Sequence, residues 1–461
     1  MTKKKLANHQ RLGISELHKR NVGLFFEPRT GKSATLLAYI CDRIRTGDVE
    51  NALIICPASL VPSWALKIDE MATFEGYTPA DVDALRSCVT IRSFGKAKGN
   101  VPKRMYRLKP SFVAQDLQRP WDVIAIDESH GLGDYRSGQT KCCMALGLYF
   151  GRGRRALLTG TPDGGRFEKL YGQIMFLDPY RWARHADYDK QMIAEVDYFG
   201  NPKSYNTAFA LELKKQYGIV ARLKDCFDLP PILDDEIIPC DMTKESWRVY
   251  KDMEAGKFEQ YGIDFLSSNV RSVKMLQSCS GSLKYGEGGQ QVYWFPSSKE
   301  QALKDILDGT DEPIVIFALH TATLHKLARV CEAVGREPII YDGEAPPGAW
   351  QAFQGATNGP DTILCQYRKG GVGIELHRAR LCIFAEPTGS SIDHIQARAR
   401  IYGPDQTLPV SYIYLVSYAP TTKPELRSTI ESVIFERMRA GKDTSDMQAE
   451  QIVNDLAYMR A

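Results

Sequence analysis

Short apolar runs rich in β-branched residues alternate along this chain with longer stretches whose apolar positions recur at helical spacing. A first series reads VGLFFE (22–27), NALIICP (51–57), SCVTIRSF (87–94), WDVIAIDE (121–128) and RRALLTGTP (154–162). A second reads EIIPCDM (236–242), PIVIFALH (313–320), EPIIYDG (337–343), DTILCQY (361–367), LCIFAE (381–386) and VSYIYLV (410–416). Continuous apolar runs of this length predict strands buried on both faces, parallel and joined by crossover helices. Residues 166–228 read mostly as helix, and Leu229-Pro230-Pro231 is a natural break because a proline pair ends helices. The expected fold class is α/β. Two parallel-sheet lobes, at 1–228 and 229–461, would carry helical insertions near 166–228 and 245–295.

Composition narrows the field a little. An apolar fraction of 43% and a charged fraction of 25% are those of an ordinary soluble protein. No apolar run approaches the ~18 residues of a membrane span. The start, MTKKKLANHQ, is basic without the apolar stretch of a signal peptide, so a cytoplasmic location is expected. Eleven cysteines stand singly apart from Cys142-Cys143, with no C-x-x-C pair, which predicts reduced thiols and neither zinc nor a disulfide frame. The net charge of +3 decides nothing, but residues 92–109 hold seven Lys or Arg and no acid.

Two short stretches carry chemistry. In FFEPRTGKS (25–33) the last three letters of a phosphate loop stand as Gly31, Lys32 and Ser33, between an apolar run and a helical one. Loop amides from Arg29, Thr30 and Gly31 and the dipole of the following helix would converge on an anion. Lys32 would reach the β- and γ-phosphates, and the Ser33 hydroxyl would ligate Mg²⁺. Phe26 falls where the pattern has its first glycine, and Arg29 puts a large cation inside the loop. At the end of WDVIAIDE, two adjacent carboxylates are costly without a task. Asp127 could hold Mg²⁺ through water, with Glu128 placed to orient or deprotonate an attacking water.

The order of EPRTGKS, ALIICPASLVPSW (52–64), IAIDESH (124–130), LLTGTP (157–162), KGGVGIEL (369–376) and QARARIYGPDQ (396–406) resembles helicase superfamily two. The likeness is nearest to its Swi/Snf family of double-stranded DNA translocases and covers roughly residues 6–440. In that family the corresponding segments look like E-M-G-x-G-K-T, D-E-x-H, L-L-L-T-G-T-P and G-G-x-G-x-N-L. The resemblance implies two RecA-like lobes with ATP and Mg²⁺ in the cleft between them. Lys32, Asp127 and Glu128 would be catalytic, with Ser33 and Asp127 at the metal. Gln10, in NHQRLG, matches the family's adenine-reading glutamine, and Gly373 would belong to the nucleotide site. Thr159-Gly160-Thr161 resembles the segment that couples ATP state to nucleic-acid grip. The family does not require glycine at Phe26 but usually has it at Arg29. Arg29 would either point away from the phosphates, with Arg29→Gly neutral or slightly costly through chain entropy, or supply one extra positive contact to them, with Arg29→Gly weakening ATP binding.

The second lobe departs from the family in two places. Glu375 stands where asparagine is usual, and an acid there is similar to the aspartate of RNA helicases. The pattern Q-x-x-x-R-x-x-R, anchored on Gln396, puts the first arginine at Arg400 and Gly403 at the second, with Arg398 an extra cation, so that Arg400 and Arg398 are both candidates for the catalytic finger. A helix running through 400 would place Gln396 and Arg400 on one face and turn Arg398 away. DNA contact is expected from Arg92 and Ser93, in the TIRSF segment that faces DNA in this family, and from Lys103, Arg104 and Arg107 in the basic stretch. The chain, with no room seen for a reader module, resembles the compact bacteriophage forms, some of which act on forked and branched DNA. The expected activity is an ATP-dependent DNA translocase or helicase acting on duplex, forked or branched DNA, with no membrane partner. In a phage-encoded form it would act in the cytoplasm of a bacterial host. An RNA helicase and a non-hydrolysing clamp are the alternatives.

Overall fold

The apolar runs of both series form strands in the computed structural model, which describes residues 3–102, 107–164, 167–196, 198, 202–263, 268–286, 291–357, 359–370, 373–423 and 426–440. The chain divides into two compact units, Met1–Asp228 and Leu229–Ala461. The first contains β1 (Val22–Phe26), β2 (Ala52–Cys56), β3 (Val89–Ser93), β4 (Trp121–Asp127), β5 (Gly151–Leu158), β6 (Ile193–Val196), β7 (Pro202–Tyr205) and β8 (Gly218–Ala221). Six of them make a parallel sheet in the order β3-β2-β4-β5-β1-β8, and β6 pairs antiparallel with β7. The second contains β9 (Glu236–Asp241), β10 (Ser282–Tyr285), β11 (Gln291–Trp294), β12 (Ile314–Ala318), β13 (Pro338–Tyr341), β14 (Thr362–Gln366), β15 (Leu381–Phe384) and β16 (Ser411–Tyr418). Its parallel sheet runs β13-β14-β12-β15-β16-β9, and β10 and β11 form a separate antiparallel hairpin.

Every residue of β1, β2 and β12 is buried. Helices cover both faces of such sheets, so these strands have no polar alternation to show. The two segments expected to be helical are mixed. Residues 166–228 hold the β6–β7 hairpin and β8, which completes the sheet beside β1, and residues 245–295 hold the β10–β11 hairpin besides helices. These strands are four residues long and mostly part-exposed, so no buried apolar run marks them.

Register positions the site. Leu158, the last residue of β5, is level with Leu24 of β1 on one side and with Asp127 of β4 on the other. β4 and β5 therefore end level and β1 runs on to Phe26, so the segments leaving these three neighbours are thrown onto one edge of the sheet. In open α/β sheets that edge, at the carboxyl ends of the strands, is where ligands bind.

The second unit is held by different means. Phe384 stacks on Phe317, Tyr367 and Tyr414 at ring-centroid separations of 5.8, 6.1 and 4.9 Å. Lys299 and Glu431 form a buried ion pair at 2.7 Å. Lys299 also donates to Ser280 Oγ and the Ala385 carbonyl, and Glu431 accepts from the Ser417 amide. Such a pair is tolerated in a dry interior only with these additional hydrogen bonds. All eleven cysteines are free thiols, ten of them buried, and burial pushes Cys56, for example, up to about 12. Among the described residues no helix is long and apolar enough to cross a membrane.

Two non-glycine residues among those described have left-handed backbone, Arg29 at φ 64° and Glu128 at φ 48°. The Arg29 conformation explains the family's glycine at this place, and it changes the expectation for the substitution. A side chain in the left-handed region costs about 1 kcal/mol, which outweighs the entropy that glycine adds to the unfolded chain. Arg29→Gly is therefore expected to raise the unfolding free energy of the first unit by about 0.5 kcal/mol. Arg29→Val should lower it by about 1 kcal/mol, because a β-branched residue is poorly accommodated there. Denaturant titration of the three proteins checks both signs.

Candidate active site

Phe26 ends β1, pairs with Ala221 of β8 and is fully buried. The aromatic at the phosphate loop's first-glycine position is thus a core residue of the strand, and the turn begins after it. Arg29 and Gly31 make that turn, both with positive φ. Thr30 ties it back, its amide and hydroxyl both donating to the Glu27 carbonyl, at 3.3 and 2.6 Å. The Gly31 carbonyl accepts from Gln10 Nε2 at 3.2 Å and from the Thr35 amide and hydroxyl at 3.0 Å each. A Cβ on Gly31 would lie 2.1 Å from Gln10 Nε2, so glycine is demanded by space as well as by φ. Gln10 is itself buried on the helix Asn8–Lys19 and accepts from the Ala7 amide at 2.7 Å. Its neighbour His9 bonds the Thr30 carbonyl through Nε2 at 2.7 Å. Lys32 opens the helix Lys32–Arg45 and donates to the Phe26 and Glu27 carbonyls at 2.8 and 3.2 Å, which holds its ammonium against the loop.

The oxygens suited to a metal lie beside it. Ser33 Oγ accepts from Lys67 Nζ at 3.0 Å. Asp127, at the end of β4, is 4% exposed; its Oδ2 accepts from Trp64 Nε1 at 3.0 Å and its Oδ1 from the Glu128 amide at 2.9 Å. Burial pushes the Asp127 carboxyl above the usual carboxylate range, with the Glu128 charge acting in the same sense and Lys67 and Lys32 opposing it. A serine hydroxyl and a carboxylate are hard oxygen donors of the kind Mg²⁺ takes, usually alongside water and substrate phosphate.

Glu128 leads into a chain of contacts that the sequence did not reveal. Its Oε2 is 3.3 Å from His130 Nδ1, and the same nitrogen is 3.1 Å from Thr159 Oγ1. Thr159 is fully buried, and its Oγ1 accepts from the Thr161 amide at 3.2 Å. Gly160 packs so closely on the loop that a Cβ would lie 2.8 Å from Pro28 Cδ and 3.2 Å from the Phe26 carbonyl. The acidic strand end, the threonine-glycine-threonine segment and the phosphate loop are thus in direct contact. Gln173, fully buried on the helix Leu170–Leu177, accepts from Ser129 Oγ at 2.9 Å and donates to the Pro162 and Lys169 carbonyls at 2.5 and 3.0 Å. His130 fell inside a motif segment and Gln173 in the stretch read as helix, but no periodicity or spacing marks what they touch.

Two of the residues expected to meet nucleic acid lie on β3, an edge strand of the first sheet. Arg92 and Ser93 end β3; Arg92 faces Asp116 at 3.4 Å, and Ser93 caps a short helix by accepting from the Lys96 amide. Arg107 is exposed, whereas Lys103 and Arg104 lie outside the described residues.

In the second unit, Gly373 has φ 77° and is exposed. Glu375 is also exposed, and its carboxylate gathers with His377 and Asp405, their ligand atoms within 4.8 Å of one another. The helix Ser391–Arg398 stops at Arg398, and the chain turns at 399–400, so the expected helix through Arg400 is not formed. Arg400 is nevertheless directed back, Nε donating to the Gln396 carbonyl and NH1 to the Ile374 carbonyl, both at 2.9 Å. Its own carbonyl accepts from the Leu376 amide at 3.0 Å. Arg398 takes a different set of partners. It pairs with both Asp235 oxygens at 2.9 and 2.8 Å, donates to the Tyr414 hydroxyl and lies 3.7 Å from the Tyr412 ring centroid.

Comparison with known proteins bears on the family of the chain. The family model for the SNF2-related domain matches residues 15–285. The DNA repair and recombination protein RDH54 of Saccharomyces cerevisiae is 23% identical over 426 residues, covering 81% of this chain and 44% of the relative. Human chromodomain-helicase-DNA-binding protein 9 is 21% identical over 491 residues, covering 94% of this chain and 16% of that protein. The chain thus spans less than half the length of these relatives. Among solved structures, the Sulfolobus solfataricus SWI2/SNF2 ATPase core in complex with dsDNA aligns over 99% of this chain and 95% of its own, at 20% identity and a TM-score of 0.41. With more than half of its residues matched by the SNF2-related domain model, the chain belongs to that family, the Swi/Snf-type ATPases of helicase superfamily two.

Proposed function

We infer that this protein hydrolyses ATP in a DNA-dependent manner and uses the cycle to move along duplex DNA, remodelling forks and branches. The observation that carries the reading is the gathering of Asp127, Glu128 and Thr159 with the loop and helix start that bear Lys32 and Ser33, beyond the ends of β4, β5 and β1. The loop amides and Lys32 would hold the β- and γ-phosphates. Gln10 keeps one amide hydrogen and one oxygen lone pair beyond its bonds to Gly31 and Ala7, enough to read an adenine edge. Ser33 and Asp127 would hold Mg²⁺, which would neutralise phosphate charge. Glu128, fixed in a strained backbone conformation, would orient the attacking water. His130 connects that carboxylate to Thr159, so the threonine segment would respond to what Glu128 touches.

DNA would be held through phosphates by Arg92, Ser93 and the basic stretch with Lys103, Arg104 and Arg107, sequence-independently and with strong salt dependence. Buried free thiols suit a reducing compartment, the cytoplasm of a bacterial host for a phage-encoded motor. Exposed Glu375 favours a second reading, an RNA helicase. ATPase stimulation across linear, forked and four-way DNA and RNA distinguishes the two; stimulation by RNA alone would overturn the DNA reading.

Lys32→Ala is expected to weaken ATP binding and turnover together. Glu128→Gln should keep ATP affinity within a few-fold while lowering kcat by at least about 10²-fold. Nucleotide binding and steady-state kinetics on the pair check this, and near-normal turnover of Glu128→Gln would remove its assigned role.

Neutralising Lys103, Arg104 and Arg107 together is expected to lower DNA affinity alike for all sequences. The salt slope should flatten by about 0.9 per lost phosphate contact. Binding isotherms at several salt concentrations give that slope, and an unchanged one would make the stretch a solvated surface.

The two second-unit arginines should separate by readout. Arg400, proposed as the finger, should lower kcat by at least about 10²-fold as Arg400→Ala with ATP affinity nearly intact. Arg398→Ala should instead leave kcat within a few-fold and cost the second unit about 2 kcal/mol of stability, through lost charged hydrogen bonds to Asp235. Kinetics and denaturant unfolding of both variants check the assignment, and exchanged phenotypes would move the finger to Arg398.

A further inference from the structure

Lys67 belongs to neither the phosphate loop nor the acidic strand end, yet it serves both. It lies on the helix Val61–Glu70, one turn after Trp64. Its ammonium donates to Ser33 Oγ at 3.0 Å and sits 4.9 Å from the centroid of the Trp64 ring. Trp64, fully buried, donates in turn to Asp127 Oδ2 at 3.0 Å. Of the two acids on the same helix, Asp69 is engaged by Arg86 at 2.8 Å and Glu70 is exposed. A half-buried lysine is thus steered by an aromatic face and a hydroxyl toward the two oxygens suited to a divalent cation.

Two cations on one hydroxyl oxygen repel, and they do so more strongly beside a buried carboxylate than in water. A polyphosphate, in contrast, gains from any fixed positive charge at that place. We propose that Lys67 is a built-in monovalent cation of the nucleotide site. It supplies part of the charge that a nucleoside diphosphate or triphosphate needs there, so that nucleotide binds without metal, and it raises the Mg²⁺ concentration the site requires. This rests on the nucleotide-site reading above and adds to it a residue that sets the balance between metal and nucleotide.

The test is equilibrium binding of a fluorescent ADP analogue to the full chain, in EDTA and across a Mg²⁺ titration, for the wild type, Lys67→Gln and Lys67→Arg. Lys67→Gln should weaken metal-free affinity about five- to tenfold, the loss of a charged hydrogen bond. It should also lower the Mg²⁺ concentration that gives half of the metal's effect on affinity. Lys67→Arg, which keeps the charge, should retain metal-free affinity close to the wild type. Loss of affinity by the same factor with and without metal would reduce Lys67 to a packing support for Trp64 and overturn the proposal, as would no change in either condition. A wild type that binds the analogue in neither condition would instead overturn the nucleotide-site reading itself, so the two failures are told apart.

Discussion

Burying a carboxylate at the end of a parallel strand is the constraint around which the first unit is arranged. Asp127 is removed from water at the carboxyl end of an inner strand, between β2 and β5. An unsatisfied carboxylate in such a place would protonate or pull the structure open. The unit answers with an indole N–H, a backbone N–H and two lysines on separate segments. Each answer fixes something else. Trp64 locks its helix against β4, the Glu128 amide sets the left-handed corner that aims the Glu128 side chain, and the lysines keep the phosphate loop facing the acid. Loop, acid and threonine segment are three parts of one electrostatic settlement.

That settlement also accounts for the two strained residues. Arg29 and Glu128 are the non-glycine positions of positive φ among those described, and they lie on the two segments that leave β1 and β4. Strain of this kind persists where surrounding contacts over-determine the backbone. Here Thr30 and Gly31 clamp one side, and the Asp127 carboxylate and His130 clamp the other. The local conformational cost is offset by an arrangement in which reacting groups need little adjustment.

Much of this was legible in the sequence. The buried strands of both sheets read directly as apolar runs, because parallel strands covered on both faces carry no polar alternation. Gly31, Lys32, Ser33, Asp127 and Glu128 were legible as candidates because the pattern that singles them out is one of local spacing. The short strands β6, β7, β8, β10 and β11 were not, since four residues of mixed exposure show no period, and β8 exists only through its pairing with β1. Phe26, which breaks the glycine pattern of the loop, already read as part of the apolar run 22–27, and it ends β1. The ligation of Asp127 by Trp64, of Ser33 by Lys67 and of Thr159 by His130 joins residues 63, 34 and 29 apart, distances over which no sequence pattern reports a contact. The ending of the helix at Arg398 turns on capping in a single turn, the least predictable part of any helix.

The side of the second unit at which the chain enters has a mechanical consequence. Residues 230–235 are fastened before β9 begins: Tyr402 donates to the Pro230 carbonyl, Val410 exchanges backbone bonds with Pro231 and Leu233, and Arg398 grips Asp235. β9 then lies parallel to β16 along six residue pairs. Tension applied to the chain at residue 229 would load this row of bonds lengthwise and together, in shear, instead of peeling them one after another. The guanidinium of Arg398 would pass part of the load to the helix Ser391–Arg398, and Arg400 would pass it on to the backbone at 374–376. A pull on the linker would therefore displace this unit as a stiff body, the behaviour required of a part that must bear force without yielding.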